Sequence, residues 1–222
     1  MIMPYRRLIA ASVLTVAGTA VFAGFALSRL PGGTSLPTHW NAAGQADGFA
    51  DAPTALFMPV ALTVAISLAF LALPRIEPMQ HRLERSATLL ATAWGSLLAL
   101  MVAVEAQVAA PAFGWSVPPT LVLVAGGLML VAIGNALPKS RPGFFVGIRT
   151  PWALLDEDNW IATHRLGAWT FIAGGLIVVA AGLLPLATSD RALAVQGAIA
   201  VAVLPPLVYS FVHWRRRRGA RG

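Results

Sequence analysis

The 222 residues include no cysteine, which excludes disulfide staples, thiolate metal sites and cysteine nucleophiles together. Charge is scarce too: Asp, Glu, Lys and Arg make up 11% of the chain, against about 25% in an ordinary soluble domain. No nucleophile elbow, HExxH pair or phosphate-binding glycine loop is present, so the familiar hydrolase, metalloprotease and nucleotide signatures are missing. No internal repeat divides the sequence. Apolar residues fill it instead, at 57% of the chain with a mean hydropathy of +0.72. Such a chain expects lipid around it, not water.

A transmembrane helix needs ~20 mostly apolar residues to cross the ~30 Å hydrocarbon layer. Six runs qualify, at roughly 8–28, 54–73, 87–108, 119–137, 168–187 and 193–213. They predict an all-α polytopic protein of the cell membrane, a six-helix transmembrane bundle in the lipid bilayer. The first run follows Arg6 and Arg7 and so resembles a signal peptide. It is longer than the ~7–15 residues of a secretory apolar region, and no small-residue cleavage site follows, so a retained helix is expected.

The net charge of +7 gathers at the ends of the apolar runs, which reads as topology and argues against direct nucleic-acid binding. Placing the N-terminus in the cytoplasm puts Arg6, Arg7, Arg75, Arg82, Arg85, Lys139, Arg141, Arg149, Arg165, Arg215 to Arg218 and Arg221 inside. Those are fourteen cations against Arg29 and Arg191 outside, so both termini are expected to be cytoplasmic. The expected division is an N-terminal two-helix unit with an outer loop, residues 1–86, and a four-helix unit with an inner loop, residues 87–222.

The outer loop runs Leu36-Pro37-Thr38-His39-Trp40-Asn41 and on through Gly44 to Asp47-Gly48. Asn41 and Gly44 suit one tight turn, and Asp47-Gly48 a second. His39 with Asp47 suits a proton relay or part of a metal site, or else a hydrogen bond within a folded loop with Trp40 at headgroup level. Two ligands fall short of the three or four a metal site takes, so no metal and no cofactor is expected. Glu105 is an acid within an apolar span, where a charge costs ~2.5–3.5 kcal/mol at the bilayer centre. It reads as a proton-relay or peptide contact, or as a structural residue within a turn or two of water, because Pro111 to Trp115 mark the outer interface.

Residues 134–167 hold the densest polar, aromatic and turn-rich stretch, between two apolar runs. Pro138, Pro142 and Pro151 rule out a continuous helix, and Gly143 and Gly147 permit tight turns. Thr150-Pro151 reads as the cap and first position of a short helix, and Asp156 as the cap of a second, with Glu157 and Asp158 at its positive dipole end. On that helix Trp160 and His164 share a face, with Arg165 beside them. They suit either a binding or catalytic site or an interfacial anchor for the fifth span. The Arg149 fork is expected on backbone carbonyls, or on Glu157 or Asp158. Gly126, Gly127, Gly134, Gly174 and Gly175 would let helices four and five approach closely.

Asn135, Pro138, the run Phe145-Val146-Gly147-Ile148-Arg149-Thr150-Pro151-Trp152, and Trp160 with Thr163-His164-Arg165-Leu166-Gly167 resemble the signature of the SdpI-like integral membrane proteins. Pro37 to Asn41 with Gly44 and Asp47 resembles the uncharacterised N-terminal domain that often accompanies it. The resemblance implies a six-helix immunity protein against a secreted peptide toxin, one that also tethers a transcriptional repressor at the membrane. The chain departs from the family pattern at Gly143, where Asn is common, and at Leu155, where a Ser or Thr cap is common; Asp156 can supply that cap.

Three classes of function follow. An immunity or sensor protein would take a toxin-like peptide on an outer surface of His39, Trp40, Asn41, Asp47 and Glu105. It would report to a cytoplasmic repressor through Asn135, Pro138, Arg149, Thr150, Pro151, Trp152, Trp160, His164 and Arg165. A small transporter would use Glu105 and the loop histidines, although no pair of broken helices marks one. An intramembrane enzyme would use His39 with Asp47, or His164 with Arg165 and Asn135. The non-enzymatic immunity or sensor reading is favoured.

Overall fold

Among the residues described by the computed structural model, 3–77 and 84–219, six helices are long and apolar enough to cross a membrane. Arg82 and Arg221 of the charge pattern lie outside the described residues. The spanning helices are α1 (Met3–Leu27), α2 (Ala52–Ile76), α3 (Ala87–Phe113), α4 (Leu121–Ala136), α6 (Glu157–Leu183) and α7 (Thr188–Gly219). A short α5 (Pro151–Leu155) interrupts the connection between α4 and α6. This is a multi-pass membrane protein, and the apolar runs mark its helices. The fifth run is extended at its front: the helix predicted after Asp156 and the apolar span are one helix, α6.

The helices pack as two groups, α1 with α2 and α3, and α4 with α6 and α7, joined through the α3–α4 contact. Inside lipid, apolar contact alone does not drive helices together, so close backbone approach and interhelical hydrogen bonds matter more. Gly127 and Gly175 supply the approach between α4 and α6, since a Cβ on either would lie within 3 Å of the other's carbonyl. Gly134 faces Ala168 and Phe171 of α6 as tightly. Gly174 instead meets Ala198 of α7, and Gly126 faces open space, so these two glycines do not serve the α4–α6 contact. The Trp94 indole N–H donates to Ser12 at 3.0 Å, tying α3 to α1. The Thr170 hydroxyl donates at 3.0 Å to the Ala202 carbonyl, the acceptor that Pro206 in α7 cannot serve because it has no N–H.

The outer segment is more ordered than a loop with two turns. It is a two-stranded antiparallel hairpin, β1 (Ser35–Trp40) and β2 (Ala46–Asp51). The turn is Asn41 to Gln45. Oδ1 of Asn41 accepts the N–H groups of Ala43 and Gln45 at 3.0 and 3.1 Å, and Gly44 holds φ 80°. Asp47-Gly48 is not a turn: it lies inside β2, where shifts of the register leave Thr38 and Asp47 out of the backbone pairing. Leu36 plugs the hairpin into an apolar cluster with Ala23 and Ala26 of α1, Leu56 of α2 and Val108 of α3.

Alternation of the spans puts this hairpin and the α3–α4 and α6–α7 connections at one end of the bundle. Arg191 at the start of α7 donates to the Ala43 carbonyl at 3.3 Å there. The segment 137–156 and the C-terminal end of α7 lie at the opposite end.

Candidate functional site

The segment after α4 folds because nearly every turn in it has a named partner. The Ser140 hydroxyl donates to the Leu137 carbonyl at 2.8 Å and accepts the Trp160 indole N–H at 3.2 Å. Thr150 caps α5 as expected, its hydroxyl accepting from Ala153 N–H at 3.3 Å, and Pro151 follows at the first helical position. Asp156 caps α6, accepting from Asp158 and Asn159 N–H at 3.0 and 3.3 Å.

His164 sits at the centre, buried and stacked on Trp160 with ring centroids 4.0 Å apart. Its Nε2 accepts the Ile148 N–H at 2.9 Å, which requires the Nδ1–H tautomer, and Nδ1 donates to the Trp160 carbonyl at 2.8 Å. Both ring nitrogens are therefore occupied by backbone. Gly147 crosses this stack at φ 116°, and a Cβ there would lie 2.6 Å from both His164 Nε2 and the Trp160 ring. Only glycine fits.

A second buried network binds the segment to α7. Oδ1 of Asn159 accepts from Ser210 and Thr163 hydroxyls at 2.8 and 3.0 Å, and its Nδ2 donates to the Ser210 carbonyl at 2.9 Å. The Thr150 and Ser210 hydroxyls are 2.7 Å apart, which joins the α5 cap to the same network. At the surface Arg217 bridges Asp156 at 3.1 Å and Asp158 at 2.7 Å. Partial burial pushes the Asp156 carboxyl upward, but the Asn159 and Asp158 N–H groups and the Arg217 guanidinium outweigh it and hold it below the usual aspartate value. Trp152 packs its edge on Phe211, with centroids 5.2 Å apart, and tilts against Trp214.

Arg149 bonds a carbonyl and not an acid: it donates to Phe144 O at 2.8 Å. Glu157 pairs with Arg141 at 3.7 Å, and Asp158 with Arg217. Two residues outside the sequence motif complete the site. Glu77, just past α2 and only 2% exposed, accepts the N–H groups of Phe144 and Phe145 at 3.2 and 3.1 Å. The Ser86 hydroxyl accepts Arg141 N–H at 3.0 Å and donates to its carbonyl at 3.2 Å. Neither has a local sequence signal, nor does Ser210, which sits in an apolar run.

The expected residues thus divide. Arg149, Thr150, Pro151, Trp152, Trp160 and His164 are built into one segment by the contacts above, whereas Asn135, Pro138 and Arg165 are exposed. Among the described residues the hydrogen bonds of the His164 ring go to Ile148 and Trp160, and none joins it to Arg165 or Asn135. At the other end His39 Nδ1 and Asp47 Oδ1 lie 2.5 Å apart across the hairpin, with side chains 70% and 44% exposed. Asn41 is occupied by its own turn, and Trp40 packs on the hairpin core. Glu105 does not join them. It is 1% exposed in α3, and neither carboxylate oxygen has a hydrogen-bond partner among the described residues. It shares a face with Val108 and Ala109, which pack on α1 and α2, so it is enclosed by neighbouring helices and not solvated. No group of three His, Asp or Glu side chains comes together among the described residues.

Residues 139–210, the built segment with α6 and most of α7, match the SdpI/YfhL protein family. Residues 14–72, the hairpin with most of α1 and α2, match a domain of unknown function, DUF1648. Over 96 residues the chain is 26% identical to the immunity protein SdpI of Bacillus subtilis strain 168. That alignment takes in 43% of this chain and 46% of the relative, so the chain spans about half the length of the curated relative it matches. No solved structure matches the chain. The built segment and the hairpin unit each fall on one of the two family matches, and these similarities support an SdpI-like protein with an N-terminal DUF1648 domain.

Proposed function

We propose that this is a membrane immunity protein that receives an extracytoplasmic toxin-like peptide at its hairpin end and reports to a cytoplasmic repressor through residues 138–165. The observation that carries the reading is the SdpI/YfhL match falling on the segment built around His164, together with the resemblance to an immunity protein by name. The fourteen-to-two distribution of Lys and Arg supports the orientation, with the hairpin outside and the built segment inside.

The side-chain chemistry favours binding over turnover. His164 has both ring nitrogens on backbone, and His39 meets a single acid on an open surface. A peptide that prefers one packing of the bundle can shift the inner segment by no more than its differential affinity, typically ~1–3 kcal/mol. A small transporter is the second reading, favoured by one observation: the buried Glu105 carboxyl in a spanning helix, without a hydrogen-bond partner among the described residues.

The test is protection. Toxin-sensitive cells with and without the protein would be challenged with a secreted peptide toxin, with membrane levels measured alongside. Survival that depends on the protein, and falls in His39→Ala at unchanged membrane level, supports the reading. Equal killing with and without the protein would defeat it. Protection that survives His39→Ala but is lost in Glu105→Gln would shift weight to transport.

A further inference from the structure

Helix α2 begins and ends on a carboxylate. At its start Asp51, the last residue of β2, accepts Thr54 N–H at 3.2 Å and so fixes the hairpin to the helix. At its other end Glu77 receives the two consecutive N–H groups of Phe144 and Phe145. Between them runs a single helix, Ala52–Ile76, with Pro59 and Pro74 inside it. The hairpin at one end of the bundle and the inner segment at the other are thus held by the two ends of one helix.

We propose that Glu77 is a latch through which the hairpin unit controls the inner segment. Both N–H groups converge on a single carboxylate, so a small displacement of the end of α2 loosens the two bonds together. Hydrogen bonds to a carboxylate are roughly twice as strong as neutral ones, so giving up both carries a cost. The latch therefore has a closed state worth keeping and a distinct open one. Room for the open state exists, as a cavity of about 240 Å³ lies between Phe70 and Leu73 of α2 and Phe145, Gly147 and Ile148 of the segment. At the far end Leu36 of β1, buried against α1, α2 and α3, is the side chain through which the hairpin grips the bundle. This deepens the immunity reading and rests on it for its use.

The test needs neither peptide nor partner, so the latch can fail while immunity stands, and the reverse. Amide hydrogen exchange over residues 143–148 would be followed in lipid nanodiscs, with the middle of α6 as the reference. Glu77→Ala should speed exchange at Phe144 and Phe145 by about tenfold or more, as loss of two charge-assisted bonds implies. Leu36→Ala should speed the same amides in the wild-type background and add nothing once Glu77 is removed. A merely structural Glu77 would give independent effects that multiply, and that result overturns the proposal. No effect of Leu36→Ala at 144–145, or equal acceleration throughout α6, also overturns it. If Glu77→Ala does not insert, Glu77→Gln keeps one acceptor and carries the same cycle with a smaller first step.

Discussion

The Ile148 N–H donates to Nε2 of His164 at 2.9 Å, and this bond fixes both the tautomer of the imidazole and the path of the chain through Gly147. A histidine held in this way works as a backbone cap. His164→Phe keeps the stack on Trp160 but leaves Ile148 N–H buried without an acceptor, which should cost ~1–3 kcal/mol. Thermal unfolding of purified protein in detergent would read it. An unchanged midpoint with activity abolished would instead mark His164 as a reacting group.

Gly147→Ala is expected to be worse. The added methyl would meet His164 and the Trp160 ring 2.6 Å away, and φ 116° is strained for any L side chain. Protease cleavage within residues 138–165 should rise sharply while the spanning helices remain protected. A cleavage pattern like the wild type would show that the segment tolerates a different path.

Asp156 combines a cap with an ion pair, and the two separate by substitution. Asp156→Asn keeps a good cap, whereas Asp156→Ala should lose about 1 kcal/mol from the cap in addition. Because the folded carboxyl is held below its usual value, its stabilisation is fully present above the unfolded value, about pH 4. It is lost as pH falls through the lower folded value. The midpoint difference between wild type and Asp156→Asn should therefore be constant near neutrality and shrink below about pH 4. A difference independent of pH down to strong acid would remove the ion pair from the account.

Ser210→Ala tests the hydrogen-bond network across the segment. It takes one partner each from Thr150, the cap of α5, and Asn159 on α6, while leaving the Ser210 carbonyl in place. Interhelical bonds of this kind are worth about 0.6 kcal/mol on average and up to about 1.7. Destabilisation in that range, not enhanced in a Ser210→Ala, Asn159→Ala double variant beyond Asn159→Ala alone, is the expected outcome. Additive losses would mean the two residues act separately.

The helices were legible because lipid demands long apolar runs, and the caps at Thr150 and Asp156 because capping is local. The hairpin was not. Its strands carry Pro37 and Gly48, and the register shifts at Thr38 and Asp47 hide the alternation a strand should show. Glu77 and Ser210 escaped for another reason: their partners lie 67 and 51 residues away, and nothing nearby in sequence announces them. Glu105 was visible as an anomaly, but its burial depends on how α1 and α2 close over it.

The central claim is that hairpin and built segment face opposite sides of the membrane, and single cysteines in this cysteine-free chain test it most directly. Gln45 at the exposed hairpin turn and Leu155, 88% exposed at the end of α5, are the positions to use. The buried Ala43 and Ser140 nearby would label poorly on either side. An impermeant thiol reagent should modify Gln45→Cys in intact cells and Leu155→Cys only after the membrane is opened. Labelling of both from outside, or of Leu155→Cys alone, would contradict the two-sided arrangement and the immunity mechanism built on it.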